Sequence, residues 1–261
     1  MTPASLRARL AGEGLDWMVP AWRGPARVHA LFTTRAGGPA PSCFDAGAAR
    51  PTADDLAGNV GACRRRLRTW LPADPVWLEQ VHGCDVVAVD AANALALRTA
   101  PPRADAALAR VPGVVLAVRV ADCLPVLLAD RAGGVVAVAH AGWRGLAAGV
   151  LEATLAAMHV APAEVAAWIG PAIGPRAFEV GADVRDAHCA HDAGALAHFA
   201  PQGGGKWLAD LPALARRRLA AAGVTAVAAD GACTRTDAAR FHSWRRDRTS
   251  ARMALLAWLA R

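Results

Sequence analysis

Two rhythms of apolar and polar positions run through this chain. Short apolar or β-branched runs at residues 28–34, 76–81, 85–90, 126–130, 135–139, 165–169 and 224–229 predict strands, and the run at 114–120 is of the kind that sits within a sheet, with Arg119 interrupting it. Helical spacing predicts helices over residues 55–70, capped by Asp54 or Asp55 and ended by Pro72 and Pro75, and over 146–158, where Leu151, Leu155 and Met158 share a face. Two more helices are predicted at 182–199 and at 208–222, the second ended by Gly223. The apolar run at 253–259 fits helix and strand equally.

Glycine and proline punctuate these runs. The turn Arg131-Ala132-Gly133-Gly134 predicts a tight hairpin between 126–130 and 135–139. The loop Arg35-Ala36-Gly37-Gly38-Pro39 brings backbone N–H groups forward, residues 170–175 form a rigid loop, and Gly203-Gly204-Gly205 reads as a flexible break. With no internal repeat or low-complexity linker, residues 1–261 read as a single α/β (α+β) domain of mixed β-sheets flanked by helices.

Composition narrows the function classes. No apolar run is long enough for a membrane span, and residues 1–20 carry Arg7, Arg9, Glu13 and Asp16 in place of a signal-peptide core, so a cytoplasmic location is expected. The net charge of +7 suits an anionic substrate. Lys206 is the only lysine, the arginines are spread along the chain, and no recognition motif for nucleic acid is present, so nucleic acid is not an expected partner. Six scattered cysteines without a C-x-x-C element are expected to be reduced thiols.

Candidate chemistry gathers at two turns. Ala121-Asp122-Cys123-Leu124-Pro125 and His140-Ala141-Gly142-Trp143-Arg144-Gly145 stand at the two ends of the predicted hairpin, which brings a thiol beside an imidazole. His82, in Glu79-Gln80-Val81-His82-Gly83, also follows an extended run. Cys123, His140 and His82 supply the three ligands of a catalytic zinc site with one position open. The same thiol and imidazole also suit covalent catalysis, with Cys123 as nucleophile, His140 as base and Asp122 or another acid orienting it. A multicopper oxidase needs repeated His-x-His elements, and none occurs. His188 and His191, three apart on a predicted helix, read as surface residues.

These blocks, with Thr33-Thr34-Arg35-Ala36-Gly37-Gly38, Arg103-Ala104-Asp105-Ala106, Ile169-Gly170-Pro171-Ala172-Ile173 and the segment 241–252, resemble in order and spacing the YfiH family, also called the laccase-domain or polyphenol oxidase family. The resemblance implies a layered fold of mixed sheets and a zinc at His82, Cys123 and His140. It also implies phosphorolysis of adenosine, inosine or S-methyl-5'-thioadenosine to free base and ribose 1-phosphate, with adenosine deamination as a second activity. The H-x-E and P-C-x-x-C signature of the familiar zinc deaminases is absent. Under this reading Arg35, Arg144 and Arg245 are candidates for phosphate, and Glu179 or Asp122 for the charge that develops on the ribose. The alternatives are a cysteine-type hydrolase that edits peptidoglycan precursors, a copper-dependent polyphenol oxidase, and a non-enzymatic metal- or partner-binding protein. Two departures from the family pattern touch the substrate side: Cys43-Phe44-Asp45-Ala46-Gly47-Ala48-Ala49 stands where an Asn-containing segment is usual, and Thr249-Ser250-Ala251-Arg252 where Thr-Gly-Arg is commoner.

Overall fold

The computed structural model describes residues 2–38 and 44–261, so Pro39 and Cys43 lie outside the described residues. The strands are β1 (Val28–Phe32), β2 (Pro75–Val76), β3 (Val86–Val89), β4 (Ala106–Ala109), β5 (Val115–Val120), β6 (Leu124–Asp130), β7 (Val136–Ala141), β8 (Val165–Ile169), β9 (Glu179–Val180), β10 (Phe199–Gly203), β11 (Lys206–Ala209), β12 (Ala226–Ala229) and β13 (Met253–Leu259). The α-helices are α1 (Pro3–Gly12), α2 (Ala53–Ala57), α3 (Asn59–Arg68), α4 (Ala94–Thr99), α5 (Trp143–Ala148), α6 (Val150–Met158), α7 (Ala182–Cys189), α8 (Leu211–Ala221) and α9 (Trp244–Asp247).

Two mixed sheets pack face to face. One has the order β1-β13-β5-β2, the other β12-β8-β6-β7-β4-β3, and a small sheet β10-β11-β9 stands beside them. Even and odd residues of each central strand serve different layers, because side chains alternate across a strand. In β13, Met253, Leu255, Ala257 and Leu259 join Val118, Leu127, Val138 and Trp168 between the sheets. Ala254, Leu256 and Trp258 turn the other way, against Leu6, Leu10, Leu67 and Trp70 of the N-terminal helical layer. On the far side of the second sheet, Val126, Leu128, Ala137 and Ile169 share a core with Leu151, Leu155, Leu214 and Leu219 of α6 and α8. The order of layers is helix, sheet, sheet, helix, the mixed single-domain α+β architecture expected.

The ambiguous run at 253–259 is a strand, and both its faces are buried, which is why it lacks polar alternation. Two predicted helices are divided: that over 55–70 at Gly58 into α2 and α3, and that over 146–158 at Gly149, whose φ of 100° ends α5 before α6 begins. The helix predicted over 182–199 is α7 followed by a separate 3-10 segment, Ala193–His198. Gly203, Gly204 and Gly205 are the tip of the β10–β11 hairpin, all with positive φ, and so form a turn in place of the break expected. Of the strand predicted over 76–81, only Val76 lies in β2, so His82 sits in a long turn between β2 and β3.

Candidate metal centre and cavity

The hairpin predicted between the two central turns is present. β6 and β7 pair antiparallel with Pro125 opposite His140 and Leu124 opposite Ala141. Cys123 stands one residue before β6, at the corner where the chain leaves β5 in one sheet and enters β6 in the other. The register of β4 with β7 pairs Ala106 with Ala139, and the His140 N–H donates to the Asp105 carbonyl at 2.7 Å. Strand ends of one sheet therefore converge with the β5–β6 corner.

Three ligand atoms, one each from His82, Cys123 and His140, lie within 4.8 Å of one another. Cys123 Sγ is 3.8 Å from His82 Nε2, and the two imidazoles meet edge to face with centroids 4.8 Å apart. Metal bonds of about 2.0 Å to nitrogen and 2.3 Å to sulfur at a tetrahedral angle put such atoms about 3.5 Å apart. The thiol and His82 are thus already near that spacing. Gly142 makes the approach feasible, since a Cβ there would stand 2.7 Å from His82 Cδ2 and 3.0 Å from Cys123 Sγ.

His140 is buried, and its Nδ1 lies 2.7 Å from Asp105 Oδ1. An ionised carboxylate only accepts, so Nδ1 carries a proton and Nε2 is the ring atom left to a metal, which displaces any proton it holds. Burial opposes charge on His140, but the Cys123 thiolate and the Asp105 carboxylate outweigh it and raise its pKa to about 9. Burial likewise opposes the Cys123 thiolate, and the charges and hydrogen bonds of His140 and His82 nonetheless bring its pKa down to about 6. In the metal-free chain the pair is thiolate and imidazolium; a divalent cation competes for the same electron pairs. The donor set fits a metal.

The triad opens onto a cavity of about 820 Å³. Of the candidates for substrate contact, Asp122, Arg144, Glu179 and Arg245 line it, and Arg35 is not among its lining residues. Arg35 Nη1 donates to the Ala238 carbonyl. Arg245 Nη1 donates to the Glu179 carbonyl at 2.9 Å, so those two are neighbours on one wall. Asp122 has its acceptors in use: Oδ1 takes the Thr234 hydroxyl at 2.6 Å, and Oδ2 takes the Ser243 hydroxyl at 3.0 Å and the Arg245 N–H at 2.7 Å. With φ of 91°, Asp122 fastens the corner beside Cys123 to the C-terminal segment. The carboxylate that orients His140 is Asp105.

Asp105, Arg119 and Arg252, to which the sequence assigns no role, complete the surroundings. Asp105 is one acidic residue ahead of an apolar strand. Arg119 interrupts a buried strand, a sign visible in the sequence; its Nη1 and Nη2 donate to the carbonyls of Gly47 and Leu78, while its Nε is buried without a partner. Burial, with Arg252 and Arg64 nearby, lowers its pKa to about 10. Gln80 clamps its backbone, giving an N–H to the Arg119 carbonyl at 2.8 Å and accepting the Arg119 N–H at 2.9 Å. Six cations line the cavity: Arg119, Arg144, Lys206, Arg245, Arg248 and Arg252. Among the described residues none of them forms an ion pair with a carboxylate.

A layered α+β domain with one Cys/His/His group at the common end of its sheets defines a recognisable class. Residues 29–260 match the family described as multi-copper polyphenol oxidoreductase laccase, and the chain belongs to this laccase-domain, or YfiH, family. It is 50% identical to the purine nucleoside phosphorylase PA4543 of Pseudomonas aeruginosa, over 93% of this chain and 98% of that one. It is 48% identical to the purine nucleoside phosphorylase YfiH of Escherichia coli, with the same coverage. A solved structure from Neisseria meningitidis superposes with a TM-score of 0.84 at 42% identity, covering 94% of this chain and all of the other.

Proposed function

We propose that this chain is a zinc-dependent purine nucleoside phosphorylase of the cytoplasm, acting on adenosine, inosine and S-methyl-5'-thioadenosine. The observation that carries the reading is a Cys/His/His group facing a cavity lined by six cations that have no carboxylate partner among the described residues. His82, Cys123 and His140 would hold the zinc, which when bound supplies a Lewis acid that polarises an oxygen ligand. The relatives named purine nucleoside phosphorylase support this choice of substrate and co-substrate.

The chain's own residues bind and orient the reactants. Arg119 and Arg252 are assigned to phosphate, since both line the cavity and Arg252 senses the charge of Cys123 and Asp122. Arg144 and Arg245 extend the same positive surface, and guanidinium forks match phosphate oxygens. Trp143 and Trp244 also line the cavity, with Arg144 and Arg252 over their rings, and are assigned to the purine. In the reaction a phosphate oxygen bonds to C1' as the C1'–N9 bond breaks, and the proton of hydrogen phosphate passes to the departing purine. Glu179 is exposed on the wall and is assigned to the positive charge that develops on the ribose.

The donor set and its surroundings support zinc over copper. Two histidines and a cysteine also build blue-copper sites, but those add a weak axial methionine, glutamine or carbonyl. Among the described residues no methionine lines this cavity, and both ends of the Gln80 amide are occupied by the Arg119 backbone. Among the described residues only one group can hold a metal, which disfavours a multicopper oxidase.

A second reading draws on the file Asp105, His140 and Cys123, the order of groups in a cysteine hydrolase. It leaves the convergence of His82 without a purpose. The deciding assay incubates the purified protein with adenosine or inosine, with and without phosphate, and follows ribose 1-phosphate, free base and ammonia. Phosphate-dependent ribose 1-phosphate is expected. Hydrolysis alone, or activity of chelator-treated protein that thiol alkylation abolishes, would sink the phosphorylase reading; ammonia without phosphate would reveal the deaminase activity. In the same assay, Arg252→Ala is expected to raise the KM for phosphate about 10- to 100-fold, the worth of one or two charged hydrogen bonds, and to leave the KM for nucleoside nearly unchanged.

A further inference from the structure

Asp105 is fully buried, and it lies outside the cavity lining. Its carboxylate is saturated from two directions. Oδ1 accepts the His82 N–H at 3.0 Å and the His140 Nδ1–H at 2.7 Å, while Oδ2 accepts the Val81 N–H at 3.1 Å and the Gly83 N–H at 2.7 Å. Three consecutive backbone donors point at one carboxylate because His82 adopts φ of 61°, a left-handed conformation that a non-glycine residue keeps only when its surroundings hold it.

Resting on the metal reading of the triad, we propose that Asp105 is a positioning residue that couples two ligands: it orients the His140 ring directly and places His82 through the 81–83 turn. Without the carboxylate, three N–H groups converge on a buried space with no acceptor, and the strained His82 backbone loses what holds it. The His82 side chain is exposed and has no other anchor of this kind. A second contact keeps the turn in place from the opposite side, since a Cβ on Gly145 would stand 2.7 Å from the Gly83 carbonyl oxygen. Coupling through one carboxylate means that the two ligands are gained or lost together.

Asp105→Asn keeps size and tests the idea, because an amide replaces one acceptor by a donor: whichever way it lies, either the Oδ1 pair or the Oδ2 pair faces N–H against N–H. The affinity for Zn²⁺ alone is measured by chelator competition for the wild type, D105N, H140A, H82A and the double variants. Loss of one outer partner costs about 10–100-fold in metal affinity, so D105N is expected near the upper end, about 100-fold. In H140A and in H82A it should still cost about tenfold. If the effect of D105N disappears in the H140A background, Asp105 serves His140 only and the coupling is refuted. Should D105N fail to fold, amide hydrogen exchange of the metal-free wild type decides: slow exchange at Val81, His82 and Gly83, although the first two are exposed, is expected, and fast exchange overturns the proposal. Neither readout depends on phosphorolysis, so the proposal and the assigned activity can fail separately.

Discussion

His140 and His188 are equally buried, at 3% and 2% exposure, and are driven in opposite directions. Burial alone favours the neutral imidazole at both. Around His188 nothing opposes it: desolvation, reinforced by Arg218 and His191, lowers the pKa to about 4, and Nε2 is buried without a partner. Around His140 desolvation is also adverse, yet a thiolate and a carboxylate reverse the outcome. A buried histidine is therefore no sign of function in itself. The partners that converge on it decide.

The contrast collapses most visibly if the convergence at His140 is removed. Cys123→Ala and His140→Ala are each expected to abolish tight Zn²⁺ binding and to lower kcat/KM for phosphorolysis about 10³-fold, the worth of several kcal/mol of Lewis-acid stabilisation. Elemental analysis and steady-state rates check this, and either variant retaining stoichiometric metal would remove that residue from the ligand set. His188→Leu should leave both quantities unchanged.

A second, smaller effect belongs to His188 and concerns stability. Its folded pKa of about 4 lies below the ordinary value of 6.5, so the unfolded chain takes up a proton first as pH falls. Stability is then lost between about pH 6.5 and 4, and a difference of that size corresponds to about 3 kcal/mol. Urea unfolding of the chelator-treated protein at pH 7 and pH 4 should show this loss, and His188→Leu should remove that share of it. An equal loss in the variant would mean that the ring finds a partner or solvent when protonated.

The same contrast explains what could be read from the sequence. β5, β6, β7 and β8 are largely apolar runs, broken in β5 by Arg119 and near the end of β7 by His140, because both faces of each sheet are covered, and that marks them clearly. That feature also hid β13, whose seven buried residues carry no period to separate strand from helix. The β10–β11 hairpin was illegible for the opposite reason: four of the five β10 residues are exposed, so no apolar pattern announces it. At the site, the hairpin spacing brought Cys123 and His140 together, and an extended run marked His82. Asp105 could not be found in that way, since three of its four donors are backbone N–H groups 22 to 24 positions away, and an acceptor of backbone donors needs no partner residue type. The sequence puts His188 on the surface of a helix; the structure buries it, with its ring against Phe199 of β10.

The smallest effect concerns Cys123 itself. Its lowered pKa makes the thiolate dominant in the metal-free protein above about pH 6, and the raised pKa of His140 keeps the imidazolium up to about pH 9. As a depressed acid, Cys123 contributes stability that is lost as pH falls through 6; as a raised base, His140 contributes stability that is lost as pH rises through 9. The ion pair thus occupies the window between. His140→Ala should return the thiol to its ordinary range or above, leaving about one part in a hundred as thiolate at pH 7. A thiolate of lower pKa is also intrinsically less nucleophilic, with a Brønsted slope of about 0.4–0.5, which offsets most of that roughly hundredfold gain. Wild-type Cys123 is therefore expected to react with an aromatic disulfide at pH 7 only about three- to sixfold faster than in H140A, followed at its own peptide by mass spectrometry. Equal rates would mean that His140 does not hold the thiolate, and that its charge has another source than the group that sets it apart from His188.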